Sequence, residues 1–440
     1  VRLSFIETCR QVIGLDSTPS QGTREVGEYF AALCKSAGLH VQLDHESLNG
    51  VEQVNLIARP ETTPQANELM LQTPMDTVEP GAPAAWTKTQ ANPFSASIYG
   101  DELYGLGAAN TKLDFLCKLE AIKSLKAKKL KKPFVLVGTY GAQQGMAGAV
   151  KLMRKKMVSA RLALVGEPTN LHLVHAGQGL AAVEIAIPFS AEESEYRLRH
   201  DTMESGSTQS KMFMGKTPTG ASNLNENAIV RMLDYLVLLP SGIAIMDLDG
   251  GASYNTAPTA AVLEIDVVGS FKEPIVNKIA SITKALKAMD DKLKRVNATL
   301  NIGSIRTFPD HVRLTGCCRL PPSVQQSDYE GWIADIRGEC AAVGAVFAVK
   351  DYKAAFQTPS DSLIIKTGQK VLTDMGARPD LLEGPSSTEA NVFNRFGVEC
   401  VVVGPGQGVG NSQAPNESIK LSELHQATEF YRRMLEELCL

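Results

Sequence analysis

The sequence predicts an α/β fold: a mainly parallel mixed sheet flanked by helices, with a smaller α+β unit of ferredoxin-like pattern inserted into it. Three observations predict it. Apolar runs of strand length alternate with helix-length amphipathic stretches over residues 1–178, the rhythm of βαβ units. After Gly179 the texture changes to strands of alternating polarity between long helices, and from about Ser323 the earlier rhythm returns. At 440 residues, 44% of them hydrophobic, the chain can build a large core and more than one domain. The expected division is therefore 1–178 and 321–440 as two parts of one α/β domain, with 179–320 inserted between them.

Two amphipathic helices open the chain within residues 1–38. The second is started by Ser20-Gln21-Gly22-Thr23 and stopped near Gly38, a plausible helix C-cap. Strands follow at 40–43, 54–58 and 69–71, the last running into a sharp turn at Thr73-Pro74. Beyond that turn stand Asp76 and Thr77, where an open α/β sheet holds its ligands. Residues 112–129 read as a helix entering the basic cluster KAKKLKK from Lys126, whose charges suit the negative end of a helix dipole. An apolar strand at 134–137, a helix at 147–157 and a buried strand at 162–165 complete the first part. In the insertion, 181–187 alternates as an antiparallel strand and 190–223 is polar and loop-rich. Residues 227–239 and 274–293 are helices there, and 261–268 and 312–318 strands. The last part carries helices at 328–343, 362–375 and 421–439, with a buried strand at 400–403.

Net charge is −4 with a pI near 6.1, which implies no basic face for nucleic acid. No run approaches the roughly 18 apolar residues that cross a bilayer, and the N-terminal stretch lacks a signal peptide's apolar core. Eight cysteines fall in neither metal-type nor disulfide-type spacing, and the adjacent Cys317-Cys318 cannot form an ordinary bridge. A soluble, cytoplasmic protein is expected, with no membrane partner.

Short motifs then occur in order: MDTV at 75–78, YGLGAANTK at 104–112, GEPT at 166–169, NAI at 227–229 and GGASYNTAP at 250–258. RLPP at 319–322, TEANVF at 388–393, GPG at 404–406 and APNE at 414–417 follow. Together they resemble the co-catalytic metallopeptidase family containing acetylornithine deacetylase, succinyl-diaminopimelate desuccinylase, aminoacylase and carboxypeptidase G. The resemblance implies a zinc-exopeptidase-like fold whose inserted unit is a lid and dimerisation domain. It also implies two zinc ions and hydrolysis of N-acyl amino acids or peptides. That chemistry needs charged or imidazole ligands on metals ~3.5 Å apart and a carboxylate base for the bridging water.

Carried over position by position, the pattern departs from the family. The histidine on the first metal falls on Pro74, while the aspartate that orients it is retained as Asp76. The bridging aspartate falls on Asn110, and the tandem glutamates (general base, then ligand) fall on Gln143 and Gln144. Glu167 is retained, the last histidine falls on Gln413, and the lid histidine falls on Thr219. Proline offers no ligand atom, a carboxamide is an uncharged and poor ligand for zinc, and Gln143 cannot take a proton from water. Amides of similar shape also relieve the repulsion that a metal-free carboxylate cluster would suffer.

The resemblance implies substrate contacts at Arg319, whose fork matches a carboxylate, and at Asn255, Thr388 and Glu389. Asn255 and Thr388 read equally well as structural residues. Seven histidines lie outside the motif cores; His172 and His175 at i, i+3 would face opposite ways on a strand, and His200-Asp201 sits in the polar stretch. No Gly-x-Ser-x-Gly elbow is present, Ser386-Ser387-Thr388 has no evident partners, and GPGQGVGN at 404–411 lacks the Lys-Ser/Thr of a phosphate loop. The expectation is a non-catalytic homologue that keeps a pocket for a small carboxylate, acyl-amino-acid or peptide ligand and needs no cofactor. Two alternatives stand beside it: an active amidohydrolase with an atypical metal site, and an interaction subunit that pairs through its lid with an active relative; a homodimer or heterodimer through the lid is the expected partner.

Overall fold

The computed structural model describes residues 4–125, 129–200, 208–215, 224–240, 242–251, 253–254, 257–267 and 271–440. The chain divides into one unit of Val1–Gly177 with Phe356–Leu440 and another of Gln178–Ala355. Helix α1 (Phe5–Gly14) starts at Ser4, whose Oγ accepts the Glu7 N–H, and α2 (Arg24–Ser36) follows. Strands β1 (His40–Leu48) and β2 (Val51–Arg59) form a hairpin leading to β3 (Glu68–Pro74). Short strands β4 (Ser97–Tyr99) and β5 (Glu102–Tyr104) precede α3 (Lys112–Lys123), and β6 (Phe134–Thr139), α4 (Ala147–Arg154), β7 (Ala160–Val165) and β8 (Leu173–Gly177) complete this part.

The inserted unit runs β9 (Gly179–Pro188), α5 (Ala191–His200), β10 (Gln209–Met214), α6 (Ala228–Val237), β11 (Ile243–Gly250) and β12 (Ala260–Val267). It continues through α7 (Ile275–Lys294), β13 (Thr299–Thr307), β14 (His311–Leu320), α8 (Gln326–Ala342) and β15 (Val346–Lys353). The chain then returns as β16 (Phe356–Gln357), α9 (Leu363–Asp374), β17 (Leu381–Gly384), α10 (Glu389–Arg395), β18 (Glu399–Val402), β19 (Ser418–Lys420) and α11 (Leu421–Cys439).

The large sheet of the first unit has the order β1-β2-β6-β3-β7-β18-β8-β16, with β17 beside β8. Its centre, β6-β3-β7-β18, is parallel, and the outer pairs β1-β2, β2-β6 and β8-β16 are antiparallel. Alternate residues of one strand serve opposite cores: Leu69 and Leu71 pack with α1, α2, α3, α9 and α11, while Met70 packs with α4 and α10. Helices therefore cover both faces, which is why these strands read as continuous apolar runs. The mixed α/β class expected from the sequence is the one observed. In the inserted unit all seven strands pair antiparallel in the order β10-β12-β11-β13-β14-β9-β15, and residues of α6, α7 and α8 share one core with them.

Several expectations need correction. The second boundary lies at Ala355, not at residue 320, because β15 pairs with β9 and α8 buries Tyr329, Ile336 and Cys340 in the core of the inserted unit. The stretch 190–223 is not all loop, since it contains α5 and β10. Ser190 Oγ accepts the Glu193 N–H, and Glu193 Oε2 accepts the Ser190 N–H at 3.0 Å, a reciprocal cap that starts α5. Ser190→Ala is expected to cost about 1 kcal/mol, read as a lower urea midpoint. His200 ends that helix, and Asp201 lies outside the described residues. The strand β3 does not turn at Thr73 but continues through Pro74, which pairs with Thr139.

The basic cluster does not extend α3, which stops at Lys123. Residues 126–128 are outside the described residues, and the N–H groups of Lys131 and Lys132 donate to Cys439 O at 2.8 and 3.2 Å. Two backbone N–H groups of the cluster thus satisfy a carbonyl at the C-terminal end of α11 instead. All eight cysteines are free, and no helix among the described residues is long and apolar enough to cross a membrane.

Candidate functional site

The parallel strands β6, β3 and β7 end together, and the motif loops start from those ends. Beyond Pro74 the chain is buried: Met75 N–H donates to Thr139 O at 2.8 Å and Thr77 N–H to Ser17 O at 3.0 Å. Asp76 faces the loop after β6, its two oxygens accepting the Ala142 and Gln143 N–H groups at 3.0 Å each. Burial pushes its carboxyl up to about 6, against the pull of those amides. The loop itself is a tight turn, with the Gln144 and Met146 N–H groups both on Gly141 O, and Gln143 exposed and Gln144 half-buried.

Asn110 is brought to the same end from the loop before α3. Thr111 Oγ1 donates to Pro74 O at 3.2 Å. Glu417 holds Asn110 beside Gln413: its Oε1 accepts the Ala109 and Asn110 N–H groups at 2.8 Å, and its Oε2 the Gln413 N–H at 3.0 Å. The Glu417 carboxylate therefore braces the backbone at two positions where the resemblance puts metal ligands, and burial holds it above the usual range while those N–H groups pull it down. Lys112, wholly buried, donates to Leu15 O at 2.7 Å, and burial lowers it to about 8 with Glu417 and Asp16 opposing.

Glu167 follows β7, whose approach to its neighbours demands glycine. A Cβ on Gly166 would sit 2.2 Å from Asp114 Oδ2, and one on Gly404 would sit 2.5 Å from Glu167 O. These are the glycines of GEPT and GPG. Burial pushes the Glu167 carboxyl up to about 7, Asp114 and Asp76 add to the rise, and Lys118 opposes it. Beneath it, Asp114 Oδ2 accepts from Lys118 Nζ at 2.6 Å and Thr73 Oγ1 at 2.7 Å, and Oδ1 accepts from the Tyr431 hydroxyl at 2.5 Å.

The structure thus gathers Pro74, Asp76, Asn110, Gln143, Gln144, Glu167 and Gln413 around the strand ends of one unit. Their donors do not fit a pair of zinc ions. Pro74 has no ligand atom, Asn110, Gln143, Gln144 and Gln413 are neutral carboxamides, and both Asp76 oxygens are held by backbone amides. Among the described residues no group of three or more His, Cys, Asp or Glu side chains is placed to hold a metal ion. His172 stands 3.8 Å from Asp380, and His175 Nδ1 lies 2.9 Å from Thr358 O, so each histidine has its own neighbour.

The expected substrate contacts fare unevenly. Thr388 is the N-cap of α10, with Asn391 completing a capping box, and Glu389 is buried against Gln72 and Thr139. Both have partners inside the fold, Thr388 in the structural role that the sequence left open for it. Arg319 lies on β14 in the inserted unit, opposite Leu180 and Thr299. Asn255 and Thr219 lie outside the described residues. Asn227 of NAI proves to be the cap of α6, accepting the Ile229 N–H at 2.9 Å. Residues that motif reading passed over are Gln72, Asp114, Lys118 and Tyr431. The signal for two of them was available, because Asp114 and Lys118 stand at i, i+4 among the apolar residues Leu113, Phe115, Leu116, Cys117 and Leu119.

Known proteins resemble this chain in sequence and in fold. Acetylornithine deacetylase of Myxococcus xanthus is 30% identical over 193 residues, 43% of this chain and 48% of that protein. The chain spans less than half the length of the curated relatives it matches, from 26% to 48%. In fold it is similar to aminoacylhistidine dipeptidase from Vibrio alginolyticus, with TM-score 0.67 at 14% identity, covering 98% of this chain and 96% of that one. It is also similar to the Bacillus subtilis YxeP protein, a dinuclear metal-binding peptidase, with TM-score 0.53 at 11% identity over 98% and 96%. A model of peptidase family M20/M25/M40 matches residues 70–437, and the chain belongs to that family.

Proposed function

We propose that this chain is a non-catalytic member of its family, one that keeps the cleft at the strand ends for a small carboxylate, acyl-amino-acid or peptide ligand but holds no zinc pair. The observation that carries this reading is the donor set itself: Pro74, Asn110, Gln143, Gln144 and Gln413 stand where the family's ligands and base would stand. The braces around them support it. Glu417 fixes the backbone of Asn110 and Gln413, and Asp76 fixes that of Gln143, which supports a site whose backbone is held while its charge is reduced. Gln143 cannot act as a base toward water at neutral pH.

Elemental analysis of purified protein after incubation with zinc tests this directly. Well under one zinc per chain is expected, together with no hydrolysis of N-acetyl amino acids above a protein-free control. Two zinc ions per chain and a chelator-sensitive rate would sink it. Ligand retention is read separately: an N-acyl amino acid at one hundred times its Kd adds about 2.7 kcal/mol to stability and raises the melting temperature. Pairing through the inserted unit, with a second copy or a metal-bearing relative, belongs to the same proposal. Its edge strand β10 leaves Met212 and Met214 64% and 57% exposed, and sedimentation of the purified chain reads the outcome.

A further inference from the structure

Gln72 and Glu389 meet inside the first unit, one in β3 and the other opening α10, and both are buried. Gln72 Nε2 donates to Glu389 Oε2 and, at 2.9 Å, to Thr139 Oγ1, while Thr139 Oγ1 donates its proton to the same Glu389 Oε2 at 2.7 Å. Two oxygens remain, Gln72 Oε1 and Glu389 Oε1. Both are buried and neither has a hydrogen-bond partner among the described residues.

Two unmet acceptors on a directly bonded pair are a deficit of one proton. Turning the Gln72 amide over does not cure it, because its oxygen would then face Glu389 Oε2, another acceptor. A carboxamide offers a donor and an acceptor side by side, and a neutral carboxylic acid offers the same pair in complementary order.

We propose that Glu389 is a neutral carboxylic acid in the folded chain, its proton on Oε1 donated to Gln72 Oε1, so that the two side chains close an acid–amide ring with two hydrogen bonds. One proton then satisfies both orphaned atoms. The surroundings favour it: burial pushes Glu389 up to about 8, and the Asp76 and Glu167 carboxylates add to the rise against the Thr139 and Gln72 bonds. Other charges near α10 do not offset this. On α4, Lys151 is engaged with Asp44 and Glu46 at 2.8 and 3.0 Å and Arg154 is exposed. Glu399 on β18 is a further negative charge, and Arg395 stands at the opposite end of α10 from Glu389.

The pairing goes beyond the proposed function, and the two orphaned oxygens that motivate it lie outside the positions where the resemblance puts metal ligands. It makes Glu389 a brace between β3 and α10. When the proton leaves for solvent, the carboxylate faces the Gln72 carbonyl and the ring opens, at the sheet end where the motif loops begin. The pair is thus a pH-sensitive latch under the cleft.

Infrared difference spectra of the full chain in D2O, wild type minus Glu389→Gln, test it. One protonated-carboxyl C=O band is expected near neutral pH, replaced by carboxylate bands at about pH 10. Carboxylate bands already present at neutral pH would overturn the proposal. Unfolding gives an independent readout. Because the folded value lies above the ordinary 4.5, the stabilisation is complete at low pH and declines as pH rises toward about 8. The wild type's folding constant is therefore expected to fall about tenfold per pH unit relative to Glu389→Gln between about pH 5 and 8. Parallel curves would refute the proton. Should Glu389→Gln not fold, Gln72→Met removes the acceptor and must shift the carboxyl band; an unmoved band would refute the ring.

Discussion

Lys118→Met is expected to lower the stability of the chain by about 3–5 kcal/mol, measured by denaturant unfolding of the first unit's signal. Lys118 is 0% exposed and Asp114 2%. Lys118 Nζ gives its protons to Gln72 O at 2.5 Å, Asp114 Oδ2 at 2.6 Å and Thr73 Oγ1 at 3.0 Å. Without it, the Asp114 carboxylate keeps, among the described residues, the Thr73 and Tyr431 hydroxyls, and an uncompensated charge remains in the core beside Glu167. The destabilisation arises from that stranded charge more than from the lost attraction. The double variant Asp114→Leu/Lys118→Met should therefore recover part of the loss, and a double-mutant cycle separates the two contributions. If Lys118→Met alone cost less than about 1 kcal/mol, the pair would be solvated in solution and the packed network would be wrong.

The sheet and its flanking helices were readable because burial on both faces leaves a plain mark. Leu69, Met70 and Leu71 are apolar in succession, since odd and even residues enter different cores. The end of the insertion was not readable. Strand β15 has no pattern that says whether it joins one sheet or the other; its partner β9 lies far back in sequence, and only pairing decides. Helix α5 was missed for the opposite reason, being mostly polar, although Ser190-x-x-Glu193 spelled its cap. At the site, motifs located Asp76, Asn110 and Glu167 but said nothing of direction. Glu389, polar and inside a motif, looked like a ligand contact, yet it points into the interior against Gln72, a residue no motif contains.

Returning the family's ligand set is expected to return zinc, and this is the largest functional change the cleft allows. The variant Pro74→His/Asn110→Asp/Gln144→Glu/Gln413→His restores ligands around the retained Glu167, while the backbone braces from Glu417 and Asp76 stay in place. Metal-free, it should melt below the wild type, because new carboxylates at 110 and 144 join Asp76 and Glu167, whose carboxyls burial already raises, with Asp114 and Asp76 adding to the rise of Glu167. Zinc at one hundred times its Kd should then add about 2.7 kcal/mol, whereas the wild type should not respond. Adding Gln143→Glu supplies the base, and hydrolysis of an N-acyl amino acid should rise about 10²–10⁴-fold over the four-site variant at equal zinc occupancy. The order separates two causes of silence. A chain that binds zinc but needs residue 143 lacks only its base, and one that binds no zinc after all five changes lacks the cleft geometry as well. A wild type that took up zinc as readily as the variant would refute the reading of the donor set from which the proposed function follows.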